Sequence, residues 1–125
     1  MGSPTSGNRV VWFDIPCLDL DRAIAFYSAV LGLEVAKHEE SGFSMGLLPH
    51  EGDAVGGCLV ALPDYSPSDS GILIYLNCNG RLDEAEAAVA GAGGAVLEPK
   101  HSIGPYGHRV LVRDSEGNRV ALHSM

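Results

Sequence analysis

The side chains of this sequence that could do chemistry lie on three short segments, residues 10–16, 71–77 and 118–124, whose composition is typical of β-strands. Alternate residues in each segment are apolar, so one face of each strand is expected to pack on a helix and the other to line a shared cleft. Ile72, Ile74 and Leu76 are accordingly expected to face a helix. The predicted cleft residues are Trp12, Asp14, Leu73, Tyr75, Asn77, Arg119, Ala121 and His123.

Two of these residues can transfer protons, and others can hold a ligand. Asp14 and His123 are the candidate catalytic residues, because acid–base catalysis needs a titratable side chain that faces the substrate. Trp12 and Tyr75 could stack on a planar group, and Asp14 could pair with a cation. The turn at residues 104–107 is expected to present Tyr106 at the mouth of the cleft. The sequence therefore predicts a ligand-binding cleft in which Asp14 and His123 either line the pocket or move a proton.

The three cysteines, Cys17, Cys58 and Cys78, give no sign of redox or nucleophilic chemistry. Their number is odd and no two of them form a CxxC pair, so a disulfide framework is not expected. No neighbour of Cys58 or Cys78 in the sequence would lower a thiol pKa, which favours buried and unreactive thiols. Cysteines of this kind are typical of the reducing cytoplasm, which is the predicted location.

Length and charge exclude several classes of protein. The 125 residues, 46% of them hydrophobic, fit one domain, predicted at residues 10–125, and residues 1–9 are predicted to be a disordered leader or tag. Sixteen acidic residues against eight basic ones give a formal charge of −8, which excludes nucleic acid and anionic membranes as expected partners. No segment approaches the roughly 20 apolar residues of a membrane span.

Each of the first two strand segments is followed by a helix signal. Asp19 is a suitable N-cap for the first helix, and Gly32 is expected to end it. The second helix is expected to end at Gly93 and Gly94. Apolar residues recur at helical spacing in both, namely Leu20, Ile24, Tyr27 and Leu31 in the first and Ala85, Ala88 and Ala92 in the second.

A constant shift of 61 residues relates the two halves of the chain, which indicates a duplicated module. Three strand-like stretches follow each helix, at 33–39, 42–47 and 55–62 and again at 95–101, 106–113 and 118–124. The predicted fold is therefore α+β, with two tandem βαβββ modules at about 10–62 and 71–124, joined by a linker at 63–70, forming a curved mixed sheet around a central cleft. The matching pairs are Cys17 and Cys78, Gly32 and Gly93, Val35 and Val96, and Gly56 and Gly117.

Two segments resemble the signatures of a known family. The sequence IPCLDLDRAIAFY at 15–27, followed by LGL at 31–33, resembles the opening signature of the vicinal oxygen chelate superfamily. The sequence RDSEGNRVAL at 113–122, with Tyr106 and Gly107 before it, resembles the closing signature. That superfamily includes glyoxalase I, bleomycin-resistance proteins and extradiol dioxygenases, and the resemblance covers residues 10–123. Because its members catalyse different reactions on one scaffold, the resemblance specifies the fold more than the activity.

The resemblance also implies a divalent metal held by His, Gln or Glu side chains on the first and last strands of each module. None of the residues at the corresponding positions offers an imidazole nitrogen or a carboxylate oxygen, so we expect no metal cofactor at the family site. The alternative is a displaced metal site. The corresponding positions are Trp12, Val60, Leu73 and Ala121, and the residues that could form a displaced site are Asp14, His101, His108 and His123.

Three functional hypotheses follow. The first is a small-molecule-binding protein of the bleomycin-resistance type that works without metal and takes an aromatic or cationic ligand. The second is a glyoxalase- or isomerase-like lyase, or a dioxygenase-related enzyme, with a displaced metal or acid–base site. The third is an interaction module whose cleft is vestigial. The resemblance further implies a homodimer, with the modules paired within one chain or swapped between two.

Overall fold

The computed structural model describes residues 7–125, with the backbone alone at position 40, and shows two modules of one design. Each module is a strand, a helix and three further strands, which confirms the predicted α+β fold. The first six residues of the predicted leader lie outside the described residues. In chain order the elements are β1 (Trp12–Pro16), α1 (Leu20–Leu31), β2 (Ala36–Glu40), β3 (Phe43–Leu48), β4 (Gly56–Val60), β5 (Tyr75–Asn77), α2 (Leu82–Ala88), β6 (Ala95–Ser102), a 3-10 helix (Gly104–Tyr106), β7 (His108–Arg113) and β8 (Arg119–Ser124).

The strands form two four-stranded mixed sheets, in the orders β1-β4-β3-β2 and β5-β8-β7-β6. In each sheet the first strand of the module pairs parallel with the last, and the other pairs are antiparallel. One hydrophobic core joins both modules on the side of the helices, and α1 contacts α2. We call the opposite side of each sheet its helix-free face. Neither helix in the described part of the chain is long and apolar enough to cross a membrane.

Helix α1 has the ends that the sequence predicts. The side chain of Asp19 accepts a hydrogen bond from the backbone N–H of Arg22 at 3.0 Å, which satisfies one of the free donors of the first turn. Gly32 ends the helix in the left-handed conformation, with φ of 68°, and its N–H donates to the carbonyl of Ser28. The buried face of the helix includes Phe26 and Tyr27 and packs into the common core.

Helix α2 is shorter than the sequence predicts, because it ends at Ala88 and residues 89–93 form turns. The expected end at Gly93 and Gly94 was therefore wrong by about a turn and a half. The chain carries glycine at 91, 93 and 94, and glycine costs about 1 kcal/mol in a helix relative to alanine. After Val89, which is buried, the stretch has only alanines and glycines, so it gains too little from packing to overcome that cost.

Strand β5 is also shorter than the predicted 71–77. It pairs with β8 only from Tyr75 onward, and the N–H of Arg119 at the start of β8 donates to the carbonyl of Ser68 in the linker. The linker thus occupies the position where an earlier part of β5 would pair. Ile72 is 92% exposed, so the expectation that it faces a helix was wrong.

The turn between β7 and β8 fastens the second module to the first. The carboxylate of Asp114, which is 2% exposed, accepts hydrogen bonds from the Tyr27 hydroxyl of α1 and from the N–H groups of Glu116 and Asn118. The side-chain amide of Asn118 donates to the carbonyl of Pro16 at 2.7 Å. The closing signature is therefore a buried polar connection between modules, in which each donor has an acceptor.

Glu116 caps the entry to α1 from the other module. One of its carboxylate oxygens accepts the N–H groups of Leu18 and Asp19, both at 2.8 Å. Arg22 binds both oxygens, with its Nε at 2.7 Å and its Nη2 at 2.9 Å. Burial alone would raise the pKa of Glu116, but the hydrogen bonds from Arg22, the two N–H groups and Ser115 lower it to about 2.

This depressed pKa makes part of the stability dependent on pH. The ordinary pKa of the group is 4.5, so its contribution is complete above about pH 4.5 and is lost as the pH falls toward 2. We expect the urea midpoint of the wild type to fall over this window. Glu116→Gln should have a lower midpoint near neutral pH and a weaker decline, so the two curves approach each other in acid. Glu84→Gln, at an exposed position of α2, should follow the wild type; parallel curves for Glu116→Gln and the wild type would contradict the assignment.

Candidate functional site

A groove of about 1330 Å³ runs between the modules, with β1 on one side and β5 on the other. The loop between β3 and β4, the linker and the start of β8 complete its walls. The predicted ligand-binding residues that line it are Trp12, Asp14, Tyr75, Asn77 and Arg119, and the predicted cleft residue Leu73 lines it as well. Tyr106, Ala121 and His123 are not among its lining residues.

On the side of the first module, Trp12 and Asp14 form a connected pair. The indole Nε1 donates to Oδ1 of Asp14 at 3.0 Å, and the thiol of Cys58 donates to the same oxygen at 3.1 Å. The hydroxyl of Tyr65 donates to the main-chain oxygen of Asp14 at 3.1 Å. An aromatic surface and a carboxylate are thereby held side by side at the groove, and Oδ2 of Asp14 has no hydrogen-bond partner among the described residues.

On the side of the second module, Tyr75 lies in a second polar cluster. Its hydroxyl accepts a hydrogen bond from Arg109 on β7, and its ring makes an edge contact with His123 at 6.0 Å between centroids. The Nε2 of His123 donates to the carbonyl of Tyr106 at 2.6 Å, since a carbonyl can only accept. The structure thus brings Tyr75, His123 and Tyr106 together on the helix-free face of the second sheet.

The two candidate catalytic residues are not brought together. Asp14 lies in the first sheet and His123 in the second, and no hydrogen bond or ion pair in the described part of the chain joins them. Ala121 is fully buried and is the register partner of Tyr75, so it lies beneath the cluster rather than at the groove. The roles of all eight predicted residues in catalysis or ligand binding stay predictions.

Sequence reasoning missed Arg109 and Tyr65. Arg109 on β7 reaches Tyr75 on β5 across one intervening strand, β8, and the two residues are 34 positions apart in the chain. Tyr65 lies in a linker without periodicity. Alternation along β7 could have placed Arg109 on the helix-free face, because Val110 and Val112 carry the apolar pattern. The sequence contains no corresponding signal for Tyr65.

The structure changes the alignment of the two modules at their last strands. The N–H of Cys17 donates to the carbonyl of Val60, and the N–H of Cys78 donates to that of His123. The first strands are therefore related by 61 residues, as the sequence predicts, but β4 and β8 are related by 63. The counterpart of Ala121 is Cys58 rather than Val60.

With this alignment, the residues at the family's metal positions still do not fit a metal ion. Trp12, Leu73 and Ala121 have no ligand atom. The fourth position, Cys58, has a thiol that donates to Oδ1 of Asp14, and burial, with that hydrogen bond and the charge of the carboxylate, raises the pKa of the thiol to about 12. A single thiol is too few ligands for a metal site. Nor do the described residues contain any group of three or more His, Cys, Asp or Glu side chains arranged to hold a metal.

All three cysteines are free and buried, which confirms the predicted burial of Cys58 and Cys78; that these thiols are unreactive stays a prediction. Burial raises the pKa of Cys17 to about 11, with the charges of Glu116 and Asp114 adding to the effect. Burial also raises the pKa of Cys78. Because the thiolate is the reactive form, each of these shifts slows attack on an electrophile.

We therefore expect slow modification of the native protein by an aromatic disulfide reagent at pH 8. Three thiols should react promptly in about 6 M guanidinium chloride, where burial is lost. In the native protein Cys17 and Cys58 should react at least about 100-fold more slowly than a free thiol, since each upward unit of pKa lowers the thiolate fraction tenfold, and Cys78 should also be slowed. One cysteine reacting rapidly under native conditions would contradict this account.

The two βαβββ modules and the groove between them define a protein of the vicinal oxygen chelate superfamily. The model of the glyoxalase-like domain family matches residues 10–123, and the chain belongs to that family. No curated protein matches the chain significantly.

Several solved structures share this fold at low sequence identity. A glyoxalase/bleomycin resistance protein from Albidiferax ferrireducens T118 is 16% identical, with a TM-score of 0.73 over 94% of this chain and 99% of that one. A glyoxalase-related enzyme from Fulvimarina pelagi is 16% identical, with a TM-score of 0.69 over 94% and 88%. TnmS3, an antibiotic binding protein from Streptomyces sp. CB03234, is 23% identical, with a TM-score of 0.61 over 95% and 97%. At these identities the similarity establishes the fold alone.

Proposed function

We propose that this chain binds a small organic molecule in the groove between its modules, without a metal ion. The observation that carries the proposal is the pair of Trp12 and Asp14 at the groove, in a chain where three of the four residues at the family's metal positions offer no ligand atom and the fourth, Cys58, donates to Asp14. A groove of about 1330 Å³ is large enough for a drug-sized molecule. The similarity in fold to an antibiotic binding protein supports the same class of function.

The two walls of the groove would contribute different contacts. The indole of Trp12 offers a flat apolar surface whose N–H is already bonded to Asp14, so it can stack without losing a hydrogen bond. Tyr75, which is 45% exposed, offers a second ring from the opposite wall. The free oxygen of Asp14 can accept a hydrogen bond from the ligand or pair with a cationic group.

Thermal shift and calorimetry with a panel of aromatic and cationic compounds test this proposal. A ligand at 100 times its dissociation constant should add about 2.7 kcal/mol to the free energy of unfolding. Trp12→Ala should weaken binding of such a ligand by at least about tenfold, because it removes the stacking surface. Leu97→Ala, at an exposed position of β6 away from the groove, is the matched control and should bind like the wild type. Equal affinities for Trp12→Ala and the wild type would overturn the proposal.

The second candidate is an enzyme of the glyoxalase or isomerase type in which Asp14 moves a proton. It is favoured by one observation, that Oδ2 of Asp14 lies at the groove without a hydrogen-bond partner in the described chain. Such an enzyme should turn over a ligand found in the panel, and Asp14→Asn should abolish turnover while retaining most of the affinity. If the ligands are recovered unchanged after long incubation, the enzyme hypothesis is contradicted and ligand binding is the function that stands.

We also expect a homodimer in the cytoplasm, as the family resemblance implies. Light scattering coupled to size exclusion should give twice the chain mass of 13.1 kDa. A monomer mass at about 100 µM protein, a concentration well above the dissociation constant of a stable dimer, would contradict this expectation.

A further inference from the structure

The helix-free face of the second sheet carries three arginines in a chain that is acidic overall. Arg113 pairs with Asp69 at 3.7 Å, and Glu98 lies on the same face. Three of the eight basic residues of the chain lie there. Arg113 on β7 and Arg119 on β8 are register partners, and Arg109 is the register partner of His123 in the same uninterrupted ladder. Because register partners project to the same side and alternate residues along a strand share a side, all three arginines belong to one face.

Arg109 is largely buried and has no carboxylate at hydrogen-bond distance. Its side chain is 24% exposed, and the nearest carboxylate oxygen is that of Glu98, at 4.0 Å from Nη2. Its hydrogen bonds go instead to neutral groups, from Nε to His101 at 3.0 Å and from Nη1 to the Tyr75 hydroxyl. In the described part of the chain its carboxylate partner, Glu98, forms a long ion pair beyond hydrogen-bond distance, so the guanidinium can bind an anion supplied from outside more closely.

Arg22 in the same chain shows the usual arrangement. Although its side chain is 50% exposed, it binds both oxygens of Glu116 at 2.7 and 2.9 Å. The more buried Arg109 has no such partner. The contrast indicates that Arg109 is positioned for a role other than fastening the fold.

The neighbours of Arg109 hold it in place and leave donors free. Since a guanidinium can only donate, Nε2 of His101 accepts from it, and the other ring nitrogen of His101 bonds the carbonyl of Pro99 at 2.8 Å. For the same reason the Tyr75 oxygen accepts from Arg109, and the hydroxyl hydrogen of Tyr75 remains free to donate. Nη2 of Arg109 is also free of a close acceptor.

Arg119 connects this face to the groove. Its side chain lines the groove, and its guanidinium has no hydrogen-bond or ion-pair partner in the described part of the chain. Tyr75 likewise lines the groove and bonds Arg109. Arg109 is not itself among the lining residues, and it reaches the groove through the Tyr75 hydroxyl. A molecule that lies beside Tyr75 is therefore near Arg119 at the groove wall and near Arg109 behind the hydroxyl, on the side opposite Asp14.

We propose that Arg109 and Arg119, with the hydroxyl of Tyr75, bind an oxyanion of the ligand, a carboxylate or a phosphate group. The proposal rests on the proposed function in that a small molecule occupies the groove, and it adds the chemical class of the group that the second module recognises. The planar fork of a guanidinium matches the oxygens of both anions.

Probes of one shape and different charge test the proposal directly. Benzoate, benzamide and benzamidine are close in size, and phenyl phosphate separates the two oxyanions. Titrated into the ¹⁵N-labelled full chain, benzoate or phenyl phosphate should shift the side-chain Nε–H signals of Arg109 and Arg119. The better of these two anions should bind at least about tenfold more tightly than benzamide, as expected for hydrogen bonds to a charged acceptor.

Matched variants distinguish binding of the anion by these two arginines from a general effect of the net charge of the protein. Arg109→Met should remove most of the preference for the anion over benzamide. Arg119→Met, which breaks no side-chain hydrogen bond or ion pair among the described residues, should reduce it. Lys100→Met removes the same charge from an exposed ion pair with Asp83 and should leave the preference unchanged. Equal binding of benzoate, phenyl phosphate and benzamide, no binding of any of them, or unchanged anion affinity in both arginine variants would each overturn the proposal.

The proposed function can survive the failure of this inference. If benzamidine binds and is lost in Trp12→Ala but not in Arg109→Met, the groove binds cations and the oxyanion proposal is wrong. If the anions bind through the arginines while Trp12→Ala has no effect, the oxyanion site stands and the proposed role of Trp12 fails.

Discussion

Replacing Asp114 with alanine should lower the free energy of unfolding by about 4 kcal/mol and the melting temperature by roughly 15 °C. The carboxylate is buried and accepts from the Tyr27 hydroxyl, two backbone N–H groups and the side-chain amide of Asn118. Removing it leaves several buried donors without an acceptor, and each such donor costs about 1–3 kcal/mol. Urea denaturation followed by circular dichroism measures the change.

Two variants show whether this loss comes from the hydrogen bonds. Tyr27→Phe removes one donor and keeps the acceptor, so it should cost only about 1–2 kcal/mol. Asp64→Ala, at an exposed linker position, should change stability by less than about 0.5 kcal/mol. If Asp114→Ala cost no more than Asp64→Ala, the turn between β7 and β8 would not fasten the modules together.

Gly107→Ala should be the second severe variant, with a loss of about 3 kcal/mol or more. Gly107 has φ of 100° and ψ of −139°, a conformation that only glycine adopts readily. A Cβ there would also clash with the main-chain oxygen of Ser124, and backbone cannot move aside as a side chain can. Because Gly107 follows Tyr106, the variant should also disturb the hydrogen bond from His123 to the Tyr106 carbonyl.

Gly91→Ala is the matched control for this substitution. No atom lies closer than 4.0 Å to a Cβ at position 91, and the position is exposed. The change should be neutral or stabilise the protein by up to about 1 kcal/mol, because alanine has less freedom to lose on folding. Comparable losses for the two variants would show that the conformation at Gly107 is not the cause.

The parts of the fold that follow from local chemistry were predictable from the sequence. The cap at Asp19 and the left-handed glycine at Gly32 depend on residues a few positions away, so both ends of α1 were correct. Competition between distant segments for the same hydrogen-bonding partner could not be predicted from the sequence. The carbonyl of the linker residue Ser68 accepts a hydrogen bond from the N–H of Arg119, and β5 is shorter as a result. The periodicity of neither segment indicates this pairing.

The same distinction between local patterns and long-range pairing applies to the candidate site. Alternation placed Trp12, Asp14 and Tyr75 at the groove, because each lies on a strand whose neighbours have a clear apolar pattern. The contacts of Arg109 with Tyr75 and His101 depend on the pairing of β6, β7 and β8, including the register shifts between β6 and β7. The shift of 63 residues between the last strands could not be predicted either. Two additional residues within the second module cannot be recognised when the two modules have low sequence identity.

The fluorescence of the single tryptophan is the most direct test of the central claim, that a small molecule binds in the groove. Trp12 is the only tryptophan in the chain, and it lines the groove, so its emission reports on this site alone. Each compound that raises the melting temperature should change the Trp12 emission in a saturable way, with a dissociation constant that agrees with calorimetry. Compounds that stabilise the protein while the emission of Trp12 stays constant through saturation would show that the ligand binds elsewhere and would contradict the account.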